Sequence, residues 1–208
     1  MLRFLDHHGF SLGNNQVIDC AVEAGAFGPA AEKAFAAPER VNQAREVDYS
    51  APEANHYEQM GRDVADVRTL ARGDLADMAR IDRKLMGRDR SSYLTHQFDE
   101  ALHDSAIRVS LTARVDGVIA GFLMANVDRG DFGRTAPVAV IDTIGVDPDY
   151  AGRGLGRAML SQLMVNLAAL RVERVETVVS RSNFDVLSFF YKAGFEPSER
   201  LACVKTLA

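Results

Sequence analysis

Apolar residues recur with a helical period in some parts of residues 64–208 and with a strand period in others. The pattern predicts four helices, at residues 73–86, 91–103, from about 156 to 170, and one beginning near 183. It predicts five strands, at residues 67–70, 107–114, 118–127, 138–146 and 174–180. An Asp-Gly pair at 116–117 marks a hairpin between the second and third strands. A final apolar stretch follows at 195–207. The predicted order is therefore β-αα-βββ-α-β-α-β, which is a mixed α+β domain.

Residues 1–62 differ from the rest of the chain. The stretch from 23 to 58 is rich in Ala, Glu, Pro, Gly and Asn, and prolines interrupt it at 29, 38 and 52. We interpret 1–62 as an extension or linker and 63–208 as the domain.

Composition narrows the function classes. The chain has 208 residues, 47% of them hydrophobic, which suits one domain with a substantial core plus an extension. A net charge of −5 argues against a nucleic-acid surface. No apolar run suggests a signal peptide or a membrane span, so we expect a cytoplasmic protein. Two cysteines, Cys20 and Cys203, are too few for a disulfide framework, and no metal-ligand spacing occurs.

The most informative segment joins the strand at 138–146 to the third helix. The strand Val140–Val146 leads through Asp147-Pro-Asp-Tyr150 into the loop Gly152-Arg-Gly-Leu-Gly-Arg157. Glycines let the backbone approach a ligand, a helix N-terminus attracts anions, and Arg153 and Arg157 add positive charge. The first helical turn carries no Asp or Glu. The segment therefore predicts a phosphate site, although a tight strand–helix connection would also use these glycines.

Spacing excludes two familiar phosphate loops. A P-loop ends in Gly-Lys-Ser/Thr, whereas Arg157-Ala158 follows Gly156 here. The dinucleotide fingerprint needs a third glycine three residues after the second, and Arg157 or Met159 occupies that place.

Two motifs together resemble the GNAT (GCN5-related N-acetyltransferase) family. The first is Val146-Asp147-Pro148 followed by Gly154-x-Gly156, although the family's Gln/Arg position holds Ala151. The second runs from Asn183 to Gly194-Phe195 and encloses a short helix with an aromatic pair. Asn183 can cap that helix, and Gly194 can end it in a left-handed conformation.

The resemblance implies an α/β/α sandwich with a mostly antiparallel sheet and a splayed central strand. It implies acetyl-CoA as co-substrate, no metal, and direct attack by a primary amine. It assigns the cofactor contacts to three groups: the strand end, the glycine loop with the start of its helix, and the Asn183 helix. These residues are Ile144, Gly145, Val146, Gly152, Arg153, Gly154, Leu155, Gly156, Arg157, Asn183 and Phe190. A backbone N–H near Val146 would polarise the thioester carbonyl.

The sequence offers one candidate each for the catalytic acid and the catalytic base. Family members often carry a Tyr acid seven residues after the Asn, and Phe190 occupies that place here. Tyr191 is adjacent, but one residue turns about 100° around a helix, so its hydroxyl should point elsewhere. The usual acid is thus either absent, replaced by water or the substrate, or supplied by Tyr191 through a locally distorted helix. The alternative role of Tyr191 is a partly buried aromatic with a solvated hydroxyl. Asp142 is the candidate base. By strand alternation it shares a face with Val140 and Ile144, and its alternative role is a salt bridge to Arg108 or Arg134.

The acceptor site is expected in the loop between the first two helices, which lines the acceptor pocket in the family. Arg88, Tyr93 and Arg134 are the candidate substrate-binding residues. The expected partners are an amine on a small molecule or a protein, and a second copy of the chain in a homodimer. The alternative function is a non-catalytic acyl-CoA-binding module, which Phe190 and Ala151 would favour.

The N-terminus repeats the C-terminal motif. Residues 4–10 match the spacing of Phe189–Phe195, and an apolar stretch follows each Gly-Phe pair, at 16–22 and 201–207. We hypothesise that 1–22 are the tail of a second GNAT-like unit, whose remainder lay upstream or whose remnant docks here as an extra strand. Coincidence is the alternative. The hypothesis predicts a helix ending at Gly9 and an extended, sheet-paired segment at 15–21.

Overall fold

The computed structural model of this chain describes residues 4, 7–22, 66–103, 109–128 and 136–205. The helices are α1 (Leu75–Met86), α2 (Ser91–His103), α3 (Leu155–Ala169) and α4 (Phe184–Lys192). The strands are β1 (Phe10–Leu12), β2 (Asn15–Ala21), β3 (Asp66–Thr69), β4 (Leu111–Val115), β5 (Val118–Asp128), β6 (Val138–Val146), β7 (Arg174–Ser180), β8 (Glu196–Pro197) and β9 (Cys203–Lys205).

A seven-stranded sheet forms the centre of the fold, in the order β3-β4-β5-β6-β7-β2-β8. All of its pairs are antiparallel except β6–β7, which is parallel. β1 and β9 form a separate antiparallel pair. The predicted mixed, mostly antiparallel α+β sheet is confirmed.

Helices cover both faces of the sheet. α1 and α2 pack on one face, around Met78, Ile81, Leu94, Phe98 and the Phe122 ring. α3 and α4 pack on the other face and bury the larger core. That core includes Ile18, Leu123, Ile141, Met159, Leu160, Leu163, Leu167, Val175, Leu187 and Phe190. The α/β/α layering expected from the resemblance is therefore present.

The strand predicted for the N-terminal segment is confirmed, whereas the helix predicted before Gly9 falls partly on residues 5–6, outside the described part of the chain. His8 N–H donates to the Phe4 carbonyl at 3.1 Å, as in a helix, and Gly9 follows with a φ of +77°. Asn15–Ala21 forms β2, which pairs along its whole length with β7. β2 is not added at an edge but lies inside the sheet, because β8 pairs with its other side. Residues 23–65 are outside the described residues, and so is the expected boundary at 62/63.

Several element bounds differ from the sequence prediction. The strand expected at 107–114 is observed at Leu111–Val115, and residues 104–108 lie outside the described part of the chain. The stretch expected at 195–207 contains two short strands, β8 and β9. The hairpin is present, since Asp116 and Gly117 both have positive φ, as a tight two-residue turn requires.

Candidate functional site

β6 separates from β7 halfway along its length. The two strands pair only from Val138–Ile141 to Arg174–Thr177, and in the described residues β6 beyond Ile141 pairs with β5 alone. At the branch, the Thr177 hydroxyl donates to the Ile141 carbonyl at 2.8 Å. Beyond it, the side of β6 that faces β7 has no strand partner in the described residues, and we call the gap between the two strands there the cleft. The sequence does not single out Thr177, because a Thr in a strand carries no distinguishing signal.

A β-bulge lies at the same point of β6. Met124 pairs with Thr143 and Ala125 with Ile141, which leaves Asp142 as the extra residue. The bulge breaks the alternation of faces, so Ile144 lies on the same side as Ile141, toward α3. The expectation that Asp142 shares a face with both Val140 and Ile144 is therefore wrong.

Asp142 is also exposed rather than enclosed among apolar neighbours. Its Oδ2 accepts a hydrogen bond from Asn126 Nδ2 at 2.9 Å. Asn126 lies on β5 two residues after Met124, which packs in the α1–α2 core. The carboxylate therefore lies beside the branch point, on the face of the sheet that α1 and α2 cover. Arg108 and Arg134, its expected ion-pair partners, are outside the described residues.

The glycine loop has the geometry of an anion site. Gly152 and Gly154 have φ values of +77° and +76°, and a Cβ at either position would point into open space. α3 begins at Leu155, and its first helical hydrogen bond runs from Ala158 N–H to the Gly154 carbonyl at 2.9 Å. The N–H groups ahead of Ala158 thus have no carbonyl of the helix to donate to, and no acid lies in the first turn.

The loop arginines are at the surface of this site. Arg153 and Arg157 are both exposed, and the Arg153 guanidinium lies 5.2 Å from the centre of the Tyr150 ring. Leu155 points the other way, into the core. Gly156 serves packing, since a Cβ there would be 3.3 Å from the Phe189 ring of α4.

α4 brings Asn183 to the end of β7. Its Oδ1 accepts from Val186 N–H at 3.4 Å, and its own N–H donates to the Ser180 carbonyl at 2.9 Å. This is the predicted N-cap. The Nδ2 amide group is then the part of the side chain that can donate to a ligand.

The aromatic pair of α4 points in two directions, as helix geometry predicts. Phe190 is 1% exposed and packs edge-on against Phe189 and Phe195. Tyr191 is 41% exposed, and its hydroxyl accepts a hydrogen bond from Gln16 Nε2 of β2 at 3.2 Å. β2 lies on the far side of β7 from β6, so this hydrogen bond directs the hydroxyl away from β6. Phe190 and Tyr191 therefore do not lie together at the cleft.

The end of α1 that leads into the α1–α2 loop lies beside β6. A Cβ at Gly145 would be 3.0 Å from Leu85 Cδ1, so the C-terminal end of α1 packs against β6. Arg88 is exposed two residues after Met86. The Tyr93 ring is 44% exposed, and the Arg90 guanidinium lies 5.3 Å from its centre. Arg134 falls in 129–135, outside the described residues.

Two further properties bear on the site. In the described ranges, no group of His, Cys, Asp and Glu side chains could hold a metal ion. None of the helices seen there is long and apolar enough to cross a membrane.

Known proteins with similar sequences include several acetyltransferases. A mycothiol acetyltransferase of Clavibacter michiganensis subsp. michiganensis is 33% identical over 109 residues, which is 52% of this chain and 33% of the relative. The match spans between 24% and 37% of the length of the mycothiol acetyltransferases compared.

Solved structures share the fold. An aminoglycoside N-acetyltransferase in complex with CoA superposes with a TM-score of 0.60 at 19% identity, covering 70% of this chain and 96% of that one. A GCN5-related N-acetyltransferase from Sphaerobacter thermophilus gives a TM-score of 0.54 at 18% identity, covering 97% of this chain and 54% of that one.

The sequence profile of the acetyltransferase (GNAT) family matches residues 75–195, more than half of the 208 residues. That range includes the branch of β6, the glycine loop and the Asn183 cap. The chain belongs to the GNAT family.

Proposed function

We propose that this protein is an N-acetyltransferase that transfers the acetyl group of acetyl-CoA to a primary amine in a ternary complex. The observation that carries the proposal is the open edge of β6 beside the glycine loop. An unpaired strand edge can pair with the amide groups of pantetheine, as an added strand would. The loop offers backbone N–H groups and two arginines to a pyrophosphate at the other end of the same molecule.

Each group of residues has one task toward acetyl-CoA. Gly152–Arg157 bind the pyrophosphate, and Ile144, Gly145 and Val146 bind the pantetheine arm with help from Asn183. A backbone N–H near Val146 polarises the acetyl carbonyl. Acetyl-CoA supplies an acetyl group activated as a thioester. The absence of a metal cluster among the described side chains leaves this assignment unchanged, since amine attack on a thioester needs only orientation and proton transfer.

Asp142 is the proposed base. Its carboxylate lies at the branch point beside the cleft, exposed, and oriented by Asn126. A cationic amine can pair with it there and transfer its proton before attack. The buried Phe190 ring has no proton to give and supports the cleft from within the core, so its contact with the cofactor stays a prediction. Tyr191 remains a candidate acid only if its hydroxyl leaves Gln16. Water or the acceptor itself is the simpler proton donor.

The acceptor is an amine on a small molecule or a protein, held by Arg88, Tyr93 and Arg134. The names of two relatives, a mycothiol acetyltransferase and an aminoglycoside N-acetyltransferase, are compatible with a small-molecule acceptor. We place the activity in the cytoplasm, with a homodimer as the expected assembly.

Charge reversal at the loop tests the cofactor site. Arg153→Glu and Arg157→Glu should each raise the dissociation constant for CoA about tenfold or more, because each replaces an attraction to phosphate by a repulsion. The measurement is isothermal titration calorimetry. Arg171→Glu, just past the other end of α3, is the matched control and should leave the affinity unchanged. If both loop variants bound CoA with the affinity of the control variant, the assignment of the loop to the pyrophosphate would be wrong. Gly156→Glu is a poorer test, because its side chain would also strike Phe189.

The second candidate is a non-catalytic acyl-CoA-binding module, favoured by the buried Phe190 and the hydrogen-bonded Tyr191. A screen of amine acceptors, with released CoA thiol as readout, separates the two functions. Release with one acceptor class establishes the enzyme. CoA affinity in calorimetry with no release across the screen favours the binding module.

A further inference from the structure

A fully buried carboxylate lies at the corner where β6 meets the glycine loop. Asp147 is 0% exposed and immediately follows Val146. It accepts hydrogen bonds from Arg80 Nη1 at 2.5 Å, from Lys84 Nζ at 2.9 and 3.1 Å, and from the Asp149 N–H at 3.1 Å.

Both cations come from one face of α1, one helical turn apart. Arg80 also donates to the Ile119 carbonyl at 2.9 Å, and the Asp147 N–H donates to the Ala120 carbonyl at 2.8 Å. The cluster therefore joins α1, the start of β5 and the end of β6. It includes no part of the glycine loop itself.

Lys84 extends the cluster toward the loop. Its Nζ bridges Asp147 to Asp149 Oδ2 at 2.7 Å, across the 3-10 turn Pro148–Tyr150. Two residues after that turn comes Gly152. Lys84 thus fixes the shape of the turn that delivers the loop, while the next residue of α1, Leu85, packs against Gly145.

The charges are held in their ionised forms. Burial alone would raise the pKa of Asp147, but hydrogen bonds from Lys84, the Asp149 N–H and Arg80 outweigh it and lower the pKa below its usual value. Hydrogen bonds to Asp149 and Asp147 raise the pKa of Lys84. Across the neutral range the cluster is therefore a fixed set of ion pairs rather than a proton carrier.

We infer that Lys84 is a positioning residue for acetyl-CoA, holding the Asp147–Asp149 turn so that the β6 edge and the glycine loop fit one cofactor together. The inference rests on the proposed function, because it concerns how that same site is held. No contact between Lys84 and the cofactor is required, and the effect passes through the turn.

The test compares Lys84→Met with Lys84→Arg. Lys84→Met keeps the aliphatic stem but removes the bridge, and it should raise the dissociation constant for CoA and the KM for acetyl-CoA about tenfold, with a smaller change in kcat. Lys84→Arg keeps the charge and should restore most of the affinity. Asp147 retains Arg80 and the Asp149 N–H, so the fold should persist, as circular dichroism can check. Arg68→Met, which breaks an exposed pair with Asp66 on the far edge strand, is the control.

A double-mutant cycle guards against a purely structural effect. Asp149 is 72% exposed in its side chain, so Asp149→Asn should fold normally and weaken CoA binding through the same bridge. The effects of Lys84→Met and Asp149→Asn should then be strongly non-additive. A lower melting temperature with unchanged CoA affinity and KM, or additive effects of the two changes, would overturn the inference. Wild-type protein without CoA affinity would instead contradict the proposed function, and this inference with it.

Discussion

β2 pairs with the short strand β8, and β9 pairs with the short strand β1, in equivalent registers. Only β2 lies in the central sheet. Ile18 pairs with Pro197 of β8, and Cys203 pairs with Leu12 of β1. Ile18 and Cys203 are the same number of residues apart as Gly9 and Gly194, and so are Leu12 and Pro197. Each residue of one pair therefore has its counterpart in the other pair. The internal repeat seen in the sequence is therefore also a repeat of strand pairing.

The surroundings of the two pairs differ. Ile18 is 0% exposed, between β7 and β8 and under the α3–α4 core. Leu12 and Val204, in the β1–β9 pair, are 60% and 47% exposed. A Gly-Phe turn followed by a short apolar stretch therefore accompanies the same register in both pairs. Burial, and the stability that comes with it, depend on which larger elements cover the strand.

Side chains suit each strand to its place. At the offset of the repeat, Lys205 of β9 corresponds to Cys20 of β2. Cys20 packs against the core, near Gly194, whereas the Lys205 ammonium lies 5.4 Å from the centre of the half-buried Phe10 ring of β1. A lysine at the Cys20 position would carry its charge toward the core, so β9 fits the place of β2 poorly.

The largest difference in unfolding free energy is expected between substitutions of Ile18 in β2 and of its counterpart Cys203 in β9. Ile18→Ala should lower the free energy of unfolding by about 2–5 kcal/mol, because it leaves a cavity in a closed core. Cys203→Ala, the matched change in the β1–β9 pair, should cost less than about 1 kcal/mol. Urea denaturation of both variants is the measurement. Equal losses would mean that both pairs share one cooperative core.

Exchanging the Cys20 and Lys205 side chains tests whether side chains select which strand lies in the central sheet. Cys20→Lys should destabilise the protein by about 1–3 kcal/mol, since the ammonium must turn out of a partly buried position. Lys205→Cys should be close to neutral and should lose only an exposed cation–π contact. Thermal unfolding followed by circular dichroism gives both values. A neutral Cys20→Lys variant would show that side chains do not select which strand occupies the sheet.

A smaller difference in stability is expected between substitutions of the two glycines that have left-handed backbone conformations. Gly194 follows α4, and Gly9 follows the hydrogen bond from His8 N–H to the Phe4 carbonyl; their φ values are +89° and +77°. Gly194→Ala should cost about 1–2 kcal/mol in global unfolding, from the strain of a Cβ at positive φ. Gly9→Ala carries the same strain but should affect mainly local opening of the N-terminal segment. Hydrogen exchange of the β1 and β7 amides can separate the two, and matching protection losses in β7 would oppose this expectation.

The smallest effect is expected for the contact that joins β2 to α4. Tyr191→Phe removes the hydrogen bond from Gln16, which is exposed, so the loss of stability should be at most about 1 kcal/mol. Turnover with a competent acceptor should change little. Gln16→Leu is the control, because it removes the same bond and keeps the hydroxyl. A large fall in kcat in Tyr191→Phe alone would identify Tyr191 as the acid.

Local signals explain what could be predicted. α2, β6 and β7 were predicted with the observed bounds, because each has an uninterrupted period and a clear terminal residue. The Asn183 cap, the Gly194 end and the positive φ values in the glycine loop also follow from residue type alone. Membership of the GNAT family follows from these same motifs.

The alternation rule failed at Asp142, because a bulge depends on how two strands pair and leaves no mark in one of them. The cluster around Asp147 was missed for a similar reason. Arg80 and Lys84 lie more than sixty residues before Asp147, and charged residues on a helix usually face solvent.

Local patterns in the sequence predicted the four helices, the longer strands, the caps of α4, the glycine loop and the repeat of the C-terminal motif at the N-terminus, because each depends on residues close together in the chain. Tertiary structure alone decided that β2 lies between β7 and β8, that β6 leaves β7 at Thr177, and that a buried carboxylate fixes the corner before the loop. These features join distant segments, and their free energy comes from burial and pairing that exist only once the whole sheet has formed.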